Sequence, residues 1–399
     1  MKTMRVTMSR RARWAVPGAA VLVTGAVIAG LQIPAAQASP DLPARTPAQL
    51  LASLSSDATV PPLTGTVVET ASLGLPQLPQ MSNASSTLSL LTGSHTVKVY
   101  YQDSSHFRLA VPQLASETDV IADGTKLWLW ESTSDSVTEF VPPAGGTKAE
   151  HKVAASAPVL TPQQAANQVL AKVGKTTLVS VQDNVMVAGD PAYQLVLAPK
   201  DHRSLIGRVV IAVDGKYGVP LRVQLYAKGA SSPAFQVGYT ALQFVAPNAA
   251  NFAFTPPPGA KVDVVKLGTG EPGMEQGAAA GMTGTSGFGT YGTSWLTVAS
   301  FPQSDLTKAL APGAAAQSAD AAQGSGKQPD IYSANGNGVG VSSQELLNAL
   351  LGTAKPVSGS WGTGTLVTTS MVSMLMTNGE VYIGAVEPSV LYAAVGHTS

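Results

Sequence analysis

Two segments of the chain alternate between apolar and polar residues, which is the pattern of a strand with one buried side. They are residues 106–111, with the sequence HFRLAV, and residues 221–225, with the sequence LRVQL. Because neighbouring side chains of a strand point to opposite faces, the polar members Arg108, Arg222 and Gln224 are predicted to lie away from the core. The predicted buried side consists of six apolar residues: Phe107, Leu109, Val111, Leu221, Val223 and Leu225.

Nine further segments are predicted as strands, because they are rich in β-branched and aromatic residues and lie between turn-forming residues. They are Leu63–Thr70, Thr96–Gln102, Glu117–Ile121, Leu127–Glu131, Val137–Val141, Leu178–Val187, Ala192–Ala198, Ile206–Val213 and Phe235–Val245. Asp123-Gly124 and Asp214-Gly215 stand where hairpin turns need a positive φ. The pattern therefore predicts a mainly β fold, a long antiparallel meander.

Two helices are predicted to lie over this meander. Thr46 and Thr161 each offer an N-cap, followed by Pro at the first helical position and Gln at the third, which is the arrangement of a capping box. The second helix is predicted to run through Val173 and to end at Gly174.

The chain after residue 266 has a different composition. Residues 267–293 are dominated by glycine and are predicted to form a linker, and residues 311–340 are a second low-complexity stretch. The predicted domains are therefore 39–266, which holds the meander, and 294–399, a C-terminal extension.

The C-terminal extension is predicted to contain one helix and one hairpin. The helix begins at Ser342 with a capping box, and the strands Gly364–Thr377 and Glu380–Val386 meet at the turn Asn378-Gly379. This extension is small, so its strands are expected to extend or cover the main sheet.

The N-terminus has the three parts of a secretory signal. A basic region ends at Arg13, an apolar stretch runs over residues 19–33, and small residues occupy positions 36 and 38. Residues 1–38 are therefore predicted to be a signal peptide, cleaved before Ser39, and the protein is expected to be exported to the cell envelope or secreted. The alternative is an uncleaved membrane anchor, although the apolar stretch is shorter than the ~20 residues that span a bilayer.

Charge and cysteine content exclude several classes of function. Residues 39–399 carry 19 basic and 24 acidic side chains, a net charge of −5, without a basic cluster that could bind nucleic acid. The chain has no cysteine, so it cannot carry a lipid anchor on one.

The sequence offers little for catalysis or metal binding. Its five histidines are scattered without metal-ligand spacing, so neither a metal site nor a cofactor is expected. No nucleophile elbow stands between a strand and a helix. Glu117 and Asp119 share one face of a predicted strand, which is compatible with acid/base work but is more often a solvated face. The protein is predicted not to be an enzyme, with an unrecognised hydrolase as one alternative.

Four segments resemble, in the same order, motifs of the LolA-like family of lipoprotein carriers. They are FR at residues 107–108, DGTKLWLW at 123–130, YQLVLAPK at 193–200 and FAFTPPPG at 252–259. The resemblance covers about residues 47–262. It implies an unclosed antiparallel β-barrel with a helical lid and an apolar cavity for acyl chains.

The apolar residues of these segments are the candidate binding site. For any one of them an ordinary core position is the simpler interpretation. The candidate ligand-binding set, given the resemblance, is Phe107, Leu109, Val111, Trp128, Trp130, Leu195, Leu197, Val223 and Leu225. The predicted function is to bind lipid or lipoprotein acyl chains. The main alternative is an RseB-like regulatory protein that binds a membrane-bound anti-sigma factor.

Overall fold

A computed structural model of the chain describes ten ranges, 40–55, 60–72, 92–113, 115–124, 126–141, 160–171, 173–266, 288–305, 352 and 354–396. Four predicted features therefore lie outside the described residues: the signal peptide, most of the linker, the low-complexity stretch 311–340 and the helix beginning at Ser342. Among the described residues, no helix has the length and apolar character needed to cross a bilayer.

The main sheet has twelve strands within the described residues. They are β1 (Leu63–Ser72), β2 (Thr92–Asp103), β3 (His106–Pro112), β4 (Glu117–Asp123), β5 (Lys126–Glu131), β6 (Ser136–Val141), β7 (Thr177–Val187), β8 (Asp190–Pro199), β9 (Ile206–Asp214), β10 (Pro220–Ala227), β11 (Phe235–Gln243) and β12 (Lys261–Lys266). Their order is β12-β6-β5-β4-β3-β2-β1-β11-β10-β9-β8-β7. Every neighbouring pair is antiparallel except β12 with β6, which is parallel. The edge strands β12 and β7 do not pair with each other, so the predicted fold class, mainly β with an unclosed antiparallel sheet, is confirmed.

The eleven strands predicted for the meander are present, each within a few residues of its predicted ends. β12 was missed, although Val262 and Val264 alternate in it with Asp263 between them. The sheet also curls, since β7 lies against β11. This curl gives the sheet an inner and an outer face.

Helices α1 (Pro47–Ser55) and α2 (Pro162–Leu170) lie on the inner face, and both predicted capping boxes are present. α1 packs against β7, and α2 packs against β10 and β11. α2 ends at Leu170, earlier than predicted, because the Val173 N–H donates to the Leu170 carbonyl in a tighter turn. The Gly174 N–H donates to the hydroxyl of Thr177 at the start of β7.

One of the two predicted positive-φ turns has a different geometry. Gly124 has φ 67°, as predicted for the β4–β5 hairpin. In the β9–β10 loop the positive φ lies at Gly218 (70°) and not at Gly215. The Asp214 carboxylate accepts the N–H groups of Lys216 and Tyr217, which makes an Asx turn that moves the left-handed residue further along the loop.

The C-terminal extension forms its own sheet and does not extend the main sheet. Within the described residues this second sheet has six strands, in the order β13-β14-β18-β17-β16-β15. They are β13 (Gly289–Tyr291), β14 (Val298–Pro302), β15 (Lys355–Gly359), β16 (Gly362–Thr368), β17 (Ser373–Thr377) and β18 (Glu380–Gly384), followed by α3 (Pro388–Val395). β13 lies inside the segment predicted as linker. The predicted strand Gly364–Thr377 is two strands, because the Thr369 hydroxyl accepts the N–H groups of Met371 and Val372 and makes a turn.

Gly65 in β1 gives the first test of the fold. A Cβ at Gly65 would lie 2.8 Å from the buried ring of Tyr239 and 2.9 Å from the carbonyl oxygen of Ala241, closer than side chains pack. Gly65→Ala is therefore expected to lower the free energy of unfolding by about 1–3 kcal/mol in urea denaturation. Gly174→Ala is the control, since nothing lies within 4 Å of its Cβ position and the change should stay within about 0.5 kcal/mol. Equal destabilisation by both substitutions would contradict the packing of β1 on β11.

Candidate functional site

Seven of the nine predicted site residues lie together on the inner face. They belong to one hydrophobic cluster that β3, β8 and β10 share with α1 and α2. These residues are Phe107, Leu109, Val111, Leu195, Leu197, Val223 and Leu225. The structure thus gathers apolar side chains from three strands that are far apart in the sequence.

β3 shows why alternation predicts this face correctly. Leu109 stands opposite Val120, and Phe107 stands opposite Ala122, so the inward side of β3 meets inward apolar residues of β4. Leu109 is 6% exposed and Phe107 is 4% exposed. At these positions the inner face is packed against other apolar groups.

The inner face is less completely covered on β5. Leu127 and Leu129 point to the same side as Leu109, because they pair with Ala122 and Val120. Both side chains are only half-buried while packing against the main cluster. β5 lies in the half of the sheet away from the strands on which α1 and α2 pack. A strip of apolar surface on β5 therefore leads from solvent toward Leu109.

A buried carboxylate holds the start of α2 against the sheet. Glu69 in β1 is 3% exposed and accepts a hydrogen bond of 3.2 Å from the N–H of Leu160, which immediately precedes the N-cap Thr161. Burial raises the pKa of Glu69, while the hydrogen bond from Leu160 and the neighbouring His95 oppose that rise. The sequence pattern could have indicated this buried carboxylate. Glu69 stands two residues after the apolar Val67, and residues two apart in a strand point to the same face.

Trp128 and Trp130 are not part of this cluster, and the prediction that placed them beside Phe107 and Leu109 is corrected. Both rings lie on the outer face, because Leu127 and Leu129 occupy the inward positions of β5. Residues 127–130 have the sequence LWLW, which is apolar on both sides of the strand. Alternation alone could not tell which pair points inward.

The segment after β11 covers these tryptophans. Phe254 packs its ring 5.7 Å from Trp128 and 6.4 Å from Trp130, measured between ring centroids. Phe252, two residues earlier, is 4% exposed and lies 6.1 Å from the His106 ring. The chain then reaches β12 and pairs with β6. The FAFTPPPG motif at residues 252–259 therefore covers this part of the outer face.

The outer face also holds a buried ion pair next to the tryptophans. Arg108 Nη2 donates to Glu117 at 3.0 Å and to the carboxylate of Asp119. The Asp119 side chain is 3% exposed, which corrects the expectation of a solvated carboxylate face. Burial, followed by the neighbouring Glu117 carboxylate, raises the pKa of Asp119 to about 7, against the opposing charge of Arg108.

No metal-binding cluster of three or more His, Cys, Asp or Glu residues occurs in the part of the chain that the structure describes. Within the same residues, Asp119 Oδ1 and Arg108 Nε have no hydrogen-bond partner, although both atoms are buried. The polar chemistry of the outer face is therefore that of a partly satisfied ion pair.

The raised pKa of Asp119 predicts a specific pH dependence of stability. Its pKa in the folded protein lies above the ordinary value of 3.8, so the stabilisation linked to its proton is present below about pH 4 and is lost as the pH rises through about 7. The free energy of unfolding of the parent protein should fall over this window by on the order of 4 kcal/mol relative to Asp119→Asn.

Urea denaturation at several pH values measures this difference. Asp263→Asn, which removes an exposed carboxylate, serves as the control and should follow the parent protein. A difference between parent and Asp119→Asn that stays constant from pH 4 to pH 8 would contradict the predicted shift.

Comparisons by sequence give no match: no family model and no curated protein sequence matches the chain. Comparisons of structure do give matches. The MucA/MucB complex of Pseudomonas aeruginosa matches with 12% identity over 88% of this chain and 96% of that chain, at a TM-score of 0.39.

Two smaller proteins match about half of this chain. A LolA superfamily protein from Nitrosomonas europaea has 10% identity over 53% of this chain and 99% of its own, at a TM-score of 0.21. A putative outer membrane lipoprotein-sorting protein domain from Vibrio parahaemolyticus has 11% identity over 49% of this chain and 90% of its own, at a TM-score of 0.18. Four segments of the chain resemble sequence motifs of the LolA-like family, and one solved structure that carries the LolA superfamily name is among its matches.

Proposed function

We propose that this protein is an exported, non-enzymatic binding protein that holds a lipid or lipoprotein acyl chain against the inner face of the main sheet. The chain would enter over the half-buried Leu127 and Leu129 of β5. It would then lie along β3, beside Leu109, toward the side chains of β8 and β10.

The observation that carries this proposal is the continuity of the apolar strip on β5 with the buried cluster. Leu129 stands opposite Val120, and Val120 stands opposite Leu109, so one row of apolar side chains leads from partly exposed to buried surface. A ligand that contacts this row needs no polar partner in it. Alkyl chains meet that requirement.

The energy of such binding comes from burial alone. Removing a methylene group from water yields about 0.8 kcal/mol, so a chain of many methylenes is held without a specific polar contact. The side chains of this row already pack against one another. Part of the free energy gained by burying the acyl chain therefore offsets the cost of displacing those side chains.

Leu129→Glu tests the proposed entry of the acyl chain. The half-buried position lets the new carboxylate remain hydrated, so the protein should melt within a few degrees of the parent. An acyl chain would meet an uncompensated charge there, and binding of a fluorescent fatty acid should weaken at least tenfold in titration. Leu109→Glu cannot replace this variant. Leu109 is 6% exposed, so a carboxylate there would be buried and would lower the free energy of unfolding by several kcal/mol. A loss of binding in that variant would then reflect loss of the fold.

Gln182→Glu is the matched control, since it adds a carboxylate at an exposed position of β7. It should leave both the melt and the binding unchanged. Unchanged fatty-acid binding by Leu129→Glu, or equal loss in both variants, would refute an acyl-chain site at the β5 strip.

A second candidate function is a regulatory one, and the edge strand β12 favours it. Val262 and Val264 are 44% and 57% exposed, and within the described residues β12 pairs on one side only. An unpaired strand edge with exposed apolar residues can add a strand from another protein. The partner would be a membrane-bound anti-sigma factor, as the RseB-like alternative implies.

Replacing both Val262 and Val264 with Lys should reduce capture of such a partner at least tenfold, because lysines at an edge oppose strand addition. The assay is a pull-down from the host envelope fraction, with single-pass membrane proteins identified by mass spectrometry. Leu178→Lys is the control, since Leu178 is 55% exposed at the opposite edge. Capture that survives the double substitution, or that Leu178→Lys also abolishes, would exclude β12 as the docking edge.

A further inference from the structure

A cavity of about 370 Å³ lies where the second sheet meets the loop between β8 and β9. Two of its lining residues are buried: Val298 fully, and Ala394 with 5% exposure. Leu296, Val390 and Trp295 add to the apolar part of the lining, while Thr176, Tyr291 and Thr293 contribute hydroxyl-bearing side chains. None of the nine predicted site residues lines the cavity, although Trp295 in its wall also packs against the inner-face cluster.

Hydrogen bonds across the junction hold the two sides of the cavity in place. The Leu205 N–H donates to the Ala385 carbonyl at 2.9 Å, and the Glu387 N–H donates to the Arg203 carbonyl at 2.7 Å. On the other side, Trp295 Nε1 donates to the hydroxyl of Thr177 at 2.8 Å. A cavity fixed at both sides is preorganised, so a ligand would lose little free energy in ordering it.

The loop that carries Trp295 has an unusual backbone. Ser294 has φ 57° and Gly292 has φ 74°, both in the left-handed region. A Cβ at Gly292 would lie 2.3 Å from the Leu296 carbonyl oxygen, so glycine is required there. Such conformations cost free energy and cluster at ligand clamps. Here the tight loop places Trp295 in the lining of the cavity, where its side chain also packs against the inner-face cluster.

The mouth of the cavity carries a closed ion pair. Arg203 donates from Nε to Asp201 at 3.1 Å and from Nη2 at 2.7 Å. This contact lowers the pKa of Asp201 and raises the pKa of Arg203, so both groups stay charged and largely cancel each other. An anionic head group would find no free positive charge in this pair, because the Arg203 guanidinium is already bound to Asp201. A neutral head group with hydroxyls can donate to Asp201 and leave the pair intact.

From the apolar part of the lining, the fixed walls and the neutralised mouth, we propose that this cavity is a second ligand site for an amphiphile with one short apolar chain and an uncharged, hydroxyl-bearing head group. The volume is near the lower end of the ~300–1,000 Å³ that small-molecule sites occupy, which favours a single chain. The site does not depend on the acyl-chain site proposed for the inner face.

The test uses the full chain and 1-monodecanoylglycerol as the probe, below its micelle concentration, in isothermal titration calorimetry. Ala393 lines the cavity but is exposed on α3, so Ala393→Phe should fill the mouth without repacking a core. We expect this variant to weaken binding at least tenfold. Ser389→Phe, also exposed on α3 but outside the lining, should bind as the parent does.

Two further titrations identify the head group that the cavity accepts and the place where the ester binds. Both titrations use Leu129→Glu, in which the acyl-chain site proposed for the inner face is blocked. Decanoate, with a similar chain and an anionic head, should bind this variant at least tenfold more weakly than the glycerol ester does. Retained binding of the ester by Leu129→Glu distinguishes this cavity from the inner face. If thermal melts show that Ala393→Phe is poorly folded, the smaller Ala393→Leu takes its place with the same expected direction.

Three results would overturn the proposal. They are the absence of binding heat with the parent protein, equal affinity of the parent and a folded Ala393 variant, and loss of binding in Leu129→Glu. Decanoate binding as tightly as the ester would overturn the assignment of a neutral head group.

Discussion

An open sheet with apolar side chains on both faces needs a cover on each face, and this requirement organises the whole main sheet. On the inner face the cover is α1 and α2 together with the curl that brings β7 against β11. On the outer face, Phe254 lies against the two tryptophans of β5, and the chain continues into β12. A closed barrel would hide its inner face without helices, whereas this sheet keeps both faces approachable from its edges.

The second sheet meets the same requirement with its own core. Leu375, Leu391 and Val298 are fully buried between β14, β17 and α3, so the extension has a core of its own. It meets the main sheet through backbone hydrogen bonds to the β8–β9 loop and through the ion pair of Lys228, just after β10, with Glu387 at 2.9 Å. Met371 also packs with Ala227 of the main sheet. A junction between two sheets that each have a core leaves unfilled space more readily than a single core does, and the 370 Å³ cavity lies there.

Alternation predicted the strands well because the inward and outward residues of most strands differ in polarity, as Leu109 and Arg108 do in β3. It failed on β5, where LWLW offers no such difference and only the register with β4 decides the faces. It also could not show that Asp119 is buried, since that depends on what covers the outer face. The division of residues 364–377 into two strands also escaped prediction, because it depends on a single hydroxyl, that of Thr369, which makes a turn inside one apolar run. Local pattern therefore predicted the elements, while the site depended on contacts between distant segments.

The segment that covers the outer face and the helices that cover the inner face are held to the main sheet by different contacts. This difference affects the side on which the proposed ligand could enter. The outer cover is continuous with β12, so lifting it would break the backbone hydrogen bonds along β6 as well as the aromatic contacts of Phe254. The inner cover has short helices, and α2 is tied to the sheet through the hydrogen bond from Leu160 to the buried Glu69. Burial raises the pKa of Glu69, so its charged form gains little from that position. Regions with few buried contacts and few backbone hydrogen bonds to the rest of a fold open at a lower free energy than the core does. Under the proposed function, a ligand chain that replaced apolar contacts beneath α2 would restore the burial lost on opening, so acyl-chain binding at the inner face would be coupled to movement of α2.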